Sequence, residues 1–270
     1  MIARIGFVEN LIDPQSFALI RLGAGALFLA LISLLSRQTA RFREINHTLS
    51  LKAATVLSIY MIGFAYAHTE LDSGAGALIQ FTVVQIVMFG SALYLKEQVP
   101  FDRFLGALIA LGGLVIMLWP DDHGIPHAFA TLAMIFAASG WGLYSVYGQQ
   151  MKFPVETTCA NFAIAFPISL MIMLLFPVVY EPKISREGIL LASFSGAITS
   201  GLSYSLWYFI LPRIKTTVAG VSQLLIPPIA MAGGIIFLNE LLTVRYVFSF
   251  MCVAMGVALS VGLFRTWFNR

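Results

Sequence analysis

Long apolar runs recur from one end of this 270-residue sequence to the other and limit the folds that it can adopt. About 20 apolar residues cross a hydrocarbon core about 30 Å thick as a helix. We identify nine such spans, at residues 14–35, 52–69, 77–95, 102–119, 127–147, 157–180, 188–209, 217–238 and 243–264. Only 11% of the residues are charged, whereas soluble domains carry about 25%. The sequence therefore predicts an all-α, polytopic membrane helical bundle, because β-barrel strands are short and alternate in polarity.

One stretch of the sequence occurs twice. When residues 80–113 are shifted by 143 positions onto residues 223–256, seven of the 34 columns are identical. The identical pairs are Gln80 and Gln223, Ile86 and Ile229, Met88 and Met231, Gly90 and Gly233, Leu95 and Leu238, Glu97 and Glu240, and Gly113 and Gly256. The polar pairs carry more weight, because apolar residues match readily by chance. We therefore divide the chain into a first repeat, residues 1–119, and a second repeat, residues 120–270.

The basic residues fall mainly in alternate connectors. One set of connectors holds eleven lysines and arginines, and the other set holds four. Because basic loops stay in the cytoplasm, we expect a multi-pass protein of the bacterial inner membrane with a cytoplasmic C-terminus. The span that begins near Gln80 then runs inward, and its copy near Gln223 runs outward. Such inverted repeats are typical of secondary transporters, whose substrate sites lie near the membrane midplane.

The two repeats differ at their beginnings. Pro14 opens a span that resembles the one opened by Pro154, at a shift of 140 positions. An additional span, residues 127–147, comes before Pro154, but only thirteen residues precede Pro14, too few to cross a bilayer. We therefore expect two five-helix repeats of which nine helices of ten are present, the first helix being absent through, for example, a misassigned start codon. A genuine nine-helix protein with an extracytoplasmic N-terminus is the alternative.

Several stretches of the first repeat resemble the first repeat of the EamA family of the drug/metabolite transporter superfamily: IDPQSFALIRLGAGALFLAL, GALIQFTVVQ and LYLKEQVPFDRFLGALIALGGLVIM. The second repeat of that family is similar to SGWGLYSVYGQ, SGLSYSLWYFILPRIKTT and VSQLLIPPIAMAGGIIFLNELLTVR. The resemblance implies ten helices in two inverted five-helix repeats around a central cavity, and export or exchange of small metabolites such as amino acids. The chain departs from the family in lacking the first helix, and in carrying Val84 where its second copy has Pro227.

One charged side chain lies well inside a span, away from both of its ends. Arg21 lies about 10 Å along the first span at 1.5 Å per residue. A charge at the centre of a membrane helix costs roughly 2.5 to 3.5 kcal/mol. Arg21 is therefore a candidate cation that attracts an anionic substrate group; the alternative is a structural arginine that binds carbonyl groups or extends to the interface. Asn161 is its equivalent in the second repeat and is a candidate hydrogen-bonding group.

Uncharged polar and aromatic side chains complete the candidate cavity. Gln80 and Gln223 are expected to place two pseudo-symmetric amides there, with Gln85 and Ser222 beside them; the alternative is that they join helices by hydrogen bonds. Aromatic rings supply a candidate stacking surface. They are Tyr66, Trp141, Tyr144, Tyr204, Trp207 and Tyr208. Some of these rings are equally expected as anchors at the membrane–water interface.

Proline and glutamate residues predict local features of two helices. Pro227 and Pro228 remove backbone donors within the eighth span and predict a kink there. Glu97 and Glu240 end their helices, where the helix dipole disfavours a carboxylate. We therefore expect each glutamate to brace the following turn through a neighbouring cation or a free amide.

The remaining titratable groups suggest neither catalysis nor an evident coupling ion. No Asp or Glu lies in the middle of a span, so a proton relay would need the absent helix or His68, Glu70 and Asp72 at the outer mouth. The residues Asp121, Asp122, His123 and His127 are expected in a solvated connector rather than at a metal. Cys159 and Cys252 are expected as small apolar side chains. Because the sequence has no ATP-binding loop and no catalytic triad, we expect no enzyme, cofactor or metal.

The function that fits these features is a secondary transporter that exports a small polar, amino-acid-like metabolite by alternating access. A nucleotide-sugar or lipid-linked carrier is an alternative, although it would need a more basic cavity than Arg21 provides. A truncated, non-transporting membrane protein is a further alternative. The expected partners are a small-molecule substrate and the lipid bilayer; nucleic acid is not expected, and a homodimer is left open.

Overall fold

The computed structural model describes residues 6–7, 9–71, 73–119, 127–175, 183–238 and 242–263. Within these ranges the fold is helical apart from one isolated β-bridge between Ile12 and Ile184. The α-helices are α1 Pro14–Leu35, α2 His47–Glu70, α3 Ser73–Tyr94, α4 Phe101–Leu118, α5 Ala128–Gly148, α6 Pro154–Leu175, α7 Arg186–Phe194, α8 Ser203–Ile210, α9 Thr216–Ser222, α10 Ile226–Leu238 and α11 Val244–Val261. In the described residues nine helical segments are long and apolar enough to cross a membrane, so the prediction of a polytopic helical bundle is confirmed.

Two of the nine segments are not continuous α-helices. A π-helix, Ser195–Leu202, joins α7 to α8 within the span Arg186–Arg213. A 3-10 turn, Gln223–Leu225, separates α9 from α10. Pro227 and Pro228 follow this turn in the first positions of α10, where a missing N–H leaves no helical hydrogen bond unmade. The eighth span is thus irregular next to the two prolines, while the kink expected there stays a prediction.

The helices form two compact units, and each unit combines helices from both predicted repeats. The first unit comprises Met1–Glu70 and Leu132–Arg213, and therefore contains α1, α2, most of α5, and α6 to α8. The second unit comprises Leu71–Thr131 and Ile214–Arg270, and therefore contains α3, α4 and α9 to α11. The division of the sequence at residues 119 and 120 into two repeats stays a prediction about sequence relationship.

The helix boundaries reproduce the spacing of the sequence repeat. Helix α4, Phe101–Leu118, and helix α11, Val244–Val261, are offset by 143 positions at both ends. Helices α3 and α9 begin at Ser73 and Thr216, which are also 143 positions apart. Helices α1 and α6 both begin at a proline and are both 22 residues long, 140 positions apart. The repeat is thus present in the local structure as well as in the residue pattern.

Helices α4 and α11 cross at small residues in the second unit. A Cβ atom on Gly106 would overlap the carbonyl oxygen of Gly256, and a Cβ on Gly256 would overlap the carbonyl oxygen of Gly106. One contact further along, a Cβ on Gly113 would lie 3.0 Å from the carbonyl oxygen of Ser249. At the repeat offset of 143 positions, Gly106 corresponds to Ser249 and Gly113 corresponds to Gly256. The repeat therefore maps the contact between Gly106 and Gly256 onto the contact between Ser249 and Gly113. Gly106 comes before Gly113 in α4, whereas its partner Gly256 comes after Ser249 in α11. The two helices are therefore antiparallel, as an inverted repeat requires.

Arginines at the start of α4 and α11 reinforce this antiparallel pair. Arg103 donates from Nε to the carbonyl oxygen of Ser260 at 3.2 Å, near the end of α11. Arg245 donates from Nε to the carbonyl oxygen of Ile116 at 2.6 Å, near the end of α4, and also to Trp119. The last carbonyl groups of a helix have no partner within that helix. Each helix therefore supplies the cation that satisfies the end of the other.

The first unit also depends on close backbone approach. A Cβ atom on Gly196 in the π-helix would overlap backbone atoms of Arg21 on α1. A Cβ on Gly140 of α5 would lie 2.5 Å from the carbonyl oxygen of Val56 on α2, and a Cβ on Gly63 would lie 2.7 Å from that of Ala133. Small residues allow membrane helices to approach closely enough for dispersion contacts between backbones. These contacts fix α1 against the π-helix and α2 against α5.

Candidate functional site

Arg21 is held on the first unit by two hydroxyl groups. Its Nε donates to Ser200 Oγ at 2.5 Å, and its Nη2 donates to Tyr204 Oη at 3.1 Å. Its Nη1 makes no hydrogen bond within the described residues, and no described carboxylate lies within ion-pair distance. The guanidinium is therefore oriented by neutral groups, while its charge is not neutralised by the part of the chain that the structure describes.

The π-helix Ser195–Leu202 places Ser200 opposite Arg21. Its sequence, SGAITSGL, is rich in glycine and hydroxyl residues, which lower the stability of an α-helix and offer alternative hydrogen bonds. Thr199 Oγ1 donates to the carbonyl oxygen of Ser195 at 3.0 Å, and Ser203 Oγ donates to that of Ile198 at 3.1 Å. Side chains thereby satisfy carbonyl groups of the widened turn. π-Helical segments are rare and are frequently found at functional sites.

An aromatic cluster adjoins Arg21. The ring of Trp141 lies 4.7 Å from that of Tyr204, 5.1 Å from that of Tyr60 and 5.8 Å from that of Tyr144, measured between centroids. Tyr144 also stacks on Tyr208 at 4.7 Å. The hydroxyl of Tyr204, which accepts from Arg21, donates to Tyr60 Oη at 3.5 Å. Four of the aromatic residues that the sequence predicts as a stacking surface are thus brought together by α5 and α8.

Asn161 serves as a contact between helices in this structure. It is fully buried; its Oδ1 accepts from Ser50 Oγ on α2, and its Nδ2 donates to Tyr208 Oη at 3.4 Å. Tyr208 Oη in turn donates to the carbonyl oxygen of Tyr144 at 3.1 Å. The side chain therefore joins α2, α6 and α8, which matches the hydrogen-bonding alternative of Asn161. Trp207 is also bound within the unit, because its Nε1 donates to Ser145 Oγ at 3.0 Å.

A small cavity lies beside Arg21 within the first unit. Its volume is about 10 Å³, which accommodates about one water molecule. It is lined by Phe7, Phe17, Ala18, Arg21, Met61, Phe64 and Ala65. Apart from Arg21 the lining residues are apolar. Tyr66, the predicted site residue of α2, is half-buried.

The predicted glutamines of the second unit occupy different environments. Gln85 is buried and donates from Nε2 to the carbonyl oxygen of Gly220 at 2.7 Å, whereas its Oε1 has no hydrogen-bond partner among the described residues. Gln223 is also buried and donates from Nε2 to the carbonyl oxygen of Ala219 at 3.2 Å. Gln80 and Ser222 are half-buried. Gln85 therefore joins α3 to α9, while Gln80 keeps an amide that is partly accessible.

The predicted braces of the second unit are present where the structure describes them. Glu97 accepts from the backbone N of Thr216 at 3.0 Å and from Thr217 Oγ1 at 3.0 Å, so it caps the start of α9. Its Oε1 also lies 3.6 Å from Nη1 of Arg103. The prediction that Glu97 pairs with a cation or a free amide is confirmed, although the amide belongs to the start of α9 and not to the turn that follows Glu97. Glu240, like Asp72, Asp121, Asp122 and His123, lies outside the described residues.

Some residues of the site were not found by sequence reasoning. Ser200 and Tyr60 bind the Arg21 network, but serines and tyrosines are frequent in the spans and no motif marks these two. Glu156 on α6 is a buried carboxylate that accepts from Ser33 Oγ at 3.1 Å. Glu156 lies in the first turn of α6, just before the apolar run, and was therefore counted with the charged residues of the connector.

The sequence and fold of this chain are similar to those of known proteins. The EamA-like transporter family matches residues 3–119 and 128–262. An uncharacterized protein of Pseudomonas aeruginosa is 33% identical over 260 residues, which cover 96% of this chain and 88% of that protein. An uncharacterized transporter of Bacillus subtilis, YoaV, is 23% identical over 94% of this chain and 89% of its own length. A crystal structure that is 17% identical superposes with a TM-score of 0.77 over 98% of this chain and 94% of that one.

Proposed function

Because this chain belongs to the EamA-like transporter family, we propose that it is a secondary transporter that exports a small polar, amino-acid-like metabolite by alternating access. The observation that carries the proposal is the interruption of two spans, by the π-helix Ser195–Leu202 and by the 3-10 turn Gln223–Leu225. Changes of helix type within an α-helix are frequently found at functional sites, and secondary transporters bind substrates and coupling ions where a spanning helix is irregular. The excess of basic residues in alternate connectors supports a cytoplasmic C-terminus and an inner-membrane location.

Exposure divides the candidate residues into two groups. Arg21, Tyr66 and Trp141 of the first unit, and Gln80 and Ser222 of the second unit, are half-buried and are proposed to contact substrate. The buried candidates are proposed to hold these residues in place. They are Gln85, Tyr144, Asn161, Tyr204, Tyr208 and Gln223. A substrate that displaces bound water must form hydrogen bonds with polar atoms that it can reach. The half-buried residues provide such atoms.

The proposal is tested by transport into inside-out membrane vesicles from cells that overproduce the full chain. A metabolite screen of those cells and their medium first selects the compounds whose extracellular level rises. Each compound is then supplied in labelled form to the vesicles. We expect uptake that saturates with concentration and is absent from vesicles without the protein. Vesicles that accumulate none of the selected compounds would refute the proposed function.

Variants test the contribution of the second unit. The double variant Gln80→Ala, Gln223→Ala is expected to lose most of the uptake, because it removes one accessible amide and one amide that fixes α9. Gln98→Ala removes an exposed glutamine of the same unit and is the matched control, with uptake expected to equal that of the wild type. Unchanged uptake in the double variant would exclude both glutamines from the substrate site.

A further inference from the structure

The charge of Arg21 has no counter-charge in the part of the chain that the structure describes. Only neutral hydroxyl groups, those of Ser200 and Tyr204, accept its hydrogen bonds. Hydroxyl groups orient a guanidinium but do not neutralise it, and a lone charge inside a membrane span is unfavourable. By contrast, Arg103 in the second unit has Glu97 at 3.6 Å. An anion that binds Arg21 would therefore remove an energetic cost that the described residues leave in place.

The geometry around Arg21 limits the kind of anion that fits. Nε and Nη2 are engaged by Ser200 and Tyr204, and Nη1 is left without a hydrogen bond among the described residues. The adjoining cavity of about 10 Å³ admits a group of about the size of one water molecule, such as one carboxylate oxygen. The other residues that line the cavity, such as Phe17 and Phe64, are apolar and offer no competing acceptor from their side chains. A phosphate group carries more charge and more oxygens than this single cation can satisfy.

We propose that the substrate carries a carboxylate and that Arg21 binds it, with Ser200 and Tyr204 as positioning residues. This inference rests on the proposed transport function and names the chemical class of its substrate. Nη1 donates to one carboxylate oxygen, while the two hydroxyl groups keep the guanidinium plane fixed. An arginine is required rather than a lysine, because a planar fork keeps its remaining donors oriented when two of them are already engaged.

The test measures binding to the purified full chain in detergent micelles, independently of transport. The probes are two acid–amide pairs, lactate with lactamide and benzoate with benzamide, together with inorganic phosphate. Binding is followed as a concentration-dependent rise in the midpoint of thermal unfolding. For the wild type we expect at least one acid to raise the midpoint, with its amide and phosphate having no effect at the same concentration.

Variants separate binding from positioning. Arg21→Gln is expected to abolish the difference between acid and amide, and Arg21→Lys is expected to weaken acid binding by at least about tenfold. Ser200→Ala and Tyr204→Phe are expected to weaken acid binding several-fold while the preference for acid over amide is kept. Arg43→Gln removes an exposed cation of the same unit and is the matched control, expected to bind as the wild type does.

Each outcome decides the inference. A wild-type protein that no acid stabilises, or that an acid and its amide stabilise equally, would overturn it, and so would an acid preference that persists in Arg21→Gln. If Arg21→Gln fails to fold, Arg21→Lys takes its place, and wild-type affinity in that variant counts against the inference. Acid binding that depends on Arg21 in a protein that exports no compound would support the inference and refute the proposed function.

Discussion

The crossing of α4 and α11 gives a sharp prediction, because a single methyl group cannot be accommodated there. In Gly106→Ala the new Cβ would overlap the carbonyl oxygen of Gly256 and would lie 2.7 Å from the backbone nitrogen of Ser260. Both obstacles are backbone atoms of a helix, which cannot rotate away as a side chain can. The two helices must therefore separate, and the reciprocal close approach at Gly256 is lost with the first.

The magnitude follows from a comparison with a neighbouring glycine. Gly112 lies on the same helix, and a Cβ there would meet no atom within 4 Å. Gly112→Ala therefore gains only helix propensity, about 1 kcal/mol. Gly106→Ala gains the same helix propensity, but its methyl group also overfills the contact between α4 and α11. Such overpacking typically costs about 2 to 3 kcal/mol of unfolding free energy. The difference between the two variants isolates the packing cost and corresponds to roughly 4–12 °C in the unfolding midpoint.

The measurement is thermal or denaturant unfolding of both variants in the same detergent, beside the wild type. We expect Gly112→Ala to match or exceed the wild-type midpoint and Gly106→Ala to fall below it. Gly113→Ala, whose Cβ would lie 3.0 Å from the carbonyl oxygen of Ser249, is expected to fall between them. Equal midpoints for Gly106→Ala and Gly112→Ala would refute the account of α4 and α11 as a backbone-to-backbone crossing.

Three further substitutions test contacts on which the fold depends. Glu97→Gln removes the ion pair with Arg103 and weakens the cap of α9, so the unfolding midpoint should fall by roughly 2–6 °C; an unchanged midpoint would show that this brace is dispensable. Tyr246→Phe deletes the hydrogen bond of 3.1 Å from Oη to the carbonyl oxygen of Pro228 and should cost about 1 kcal/mol in unfolding free energy, measured in denaturant. Asn161→Ala leaves the buried Ser50 hydroxyl without its acceptor and removes one of the two hydrogen bonds of the Tyr208 hydroxyl, so it should cost about 1–3 kcal/mol by the same assay. A variant as stable as the wild type would contradict its role as a helix contact.

Sequence reasoning located the spans well because length and polarity decide which segments cross a membrane. The first predicted span, 14–35, coincides with the helix Pro14–Leu35. The second helix begins at His47, five residues before the prediction of 52, because a helix extends beyond its apolar stretch into polar residues at the interface. The sixth begins at Pro154 rather than at 157, since proline at the first helical position is favourable although it is not part of an apolar run.

The finer features of the site follow from contacts that no local pattern reveals. An irregularity of the helix near Pro227 was predictable because proline removes a backbone donor wherever it lies. The π-helix was not, because SGAITSGL differs little in composition from other small-residue stretches of the spans. The placement of Ser200 beside Arg21 depends on residues 179 positions apart in the sequence. Sequence reasoning therefore identified the unusual charge and the aromatic residues, but not the hydroxyl groups that orient the charge.

The two equivalent contacts between α4 and α11 also determine which substitutions each helix can accept. In a symmetric dimer of identical helices, every substitution at the crossing would alter two equivalent contacts at once. In a single chain that carries both copies, each contact can be adjusted alone. Ser249 stands where its counterpart Gly106 has no side chain, and its hydroxyl is buried without a hydrogen-bond partner in the described residues. The two ends of one crossing have thereby become chemically distinct, so the two copies of the repeat no longer impose the same requirement on the residues that meet there.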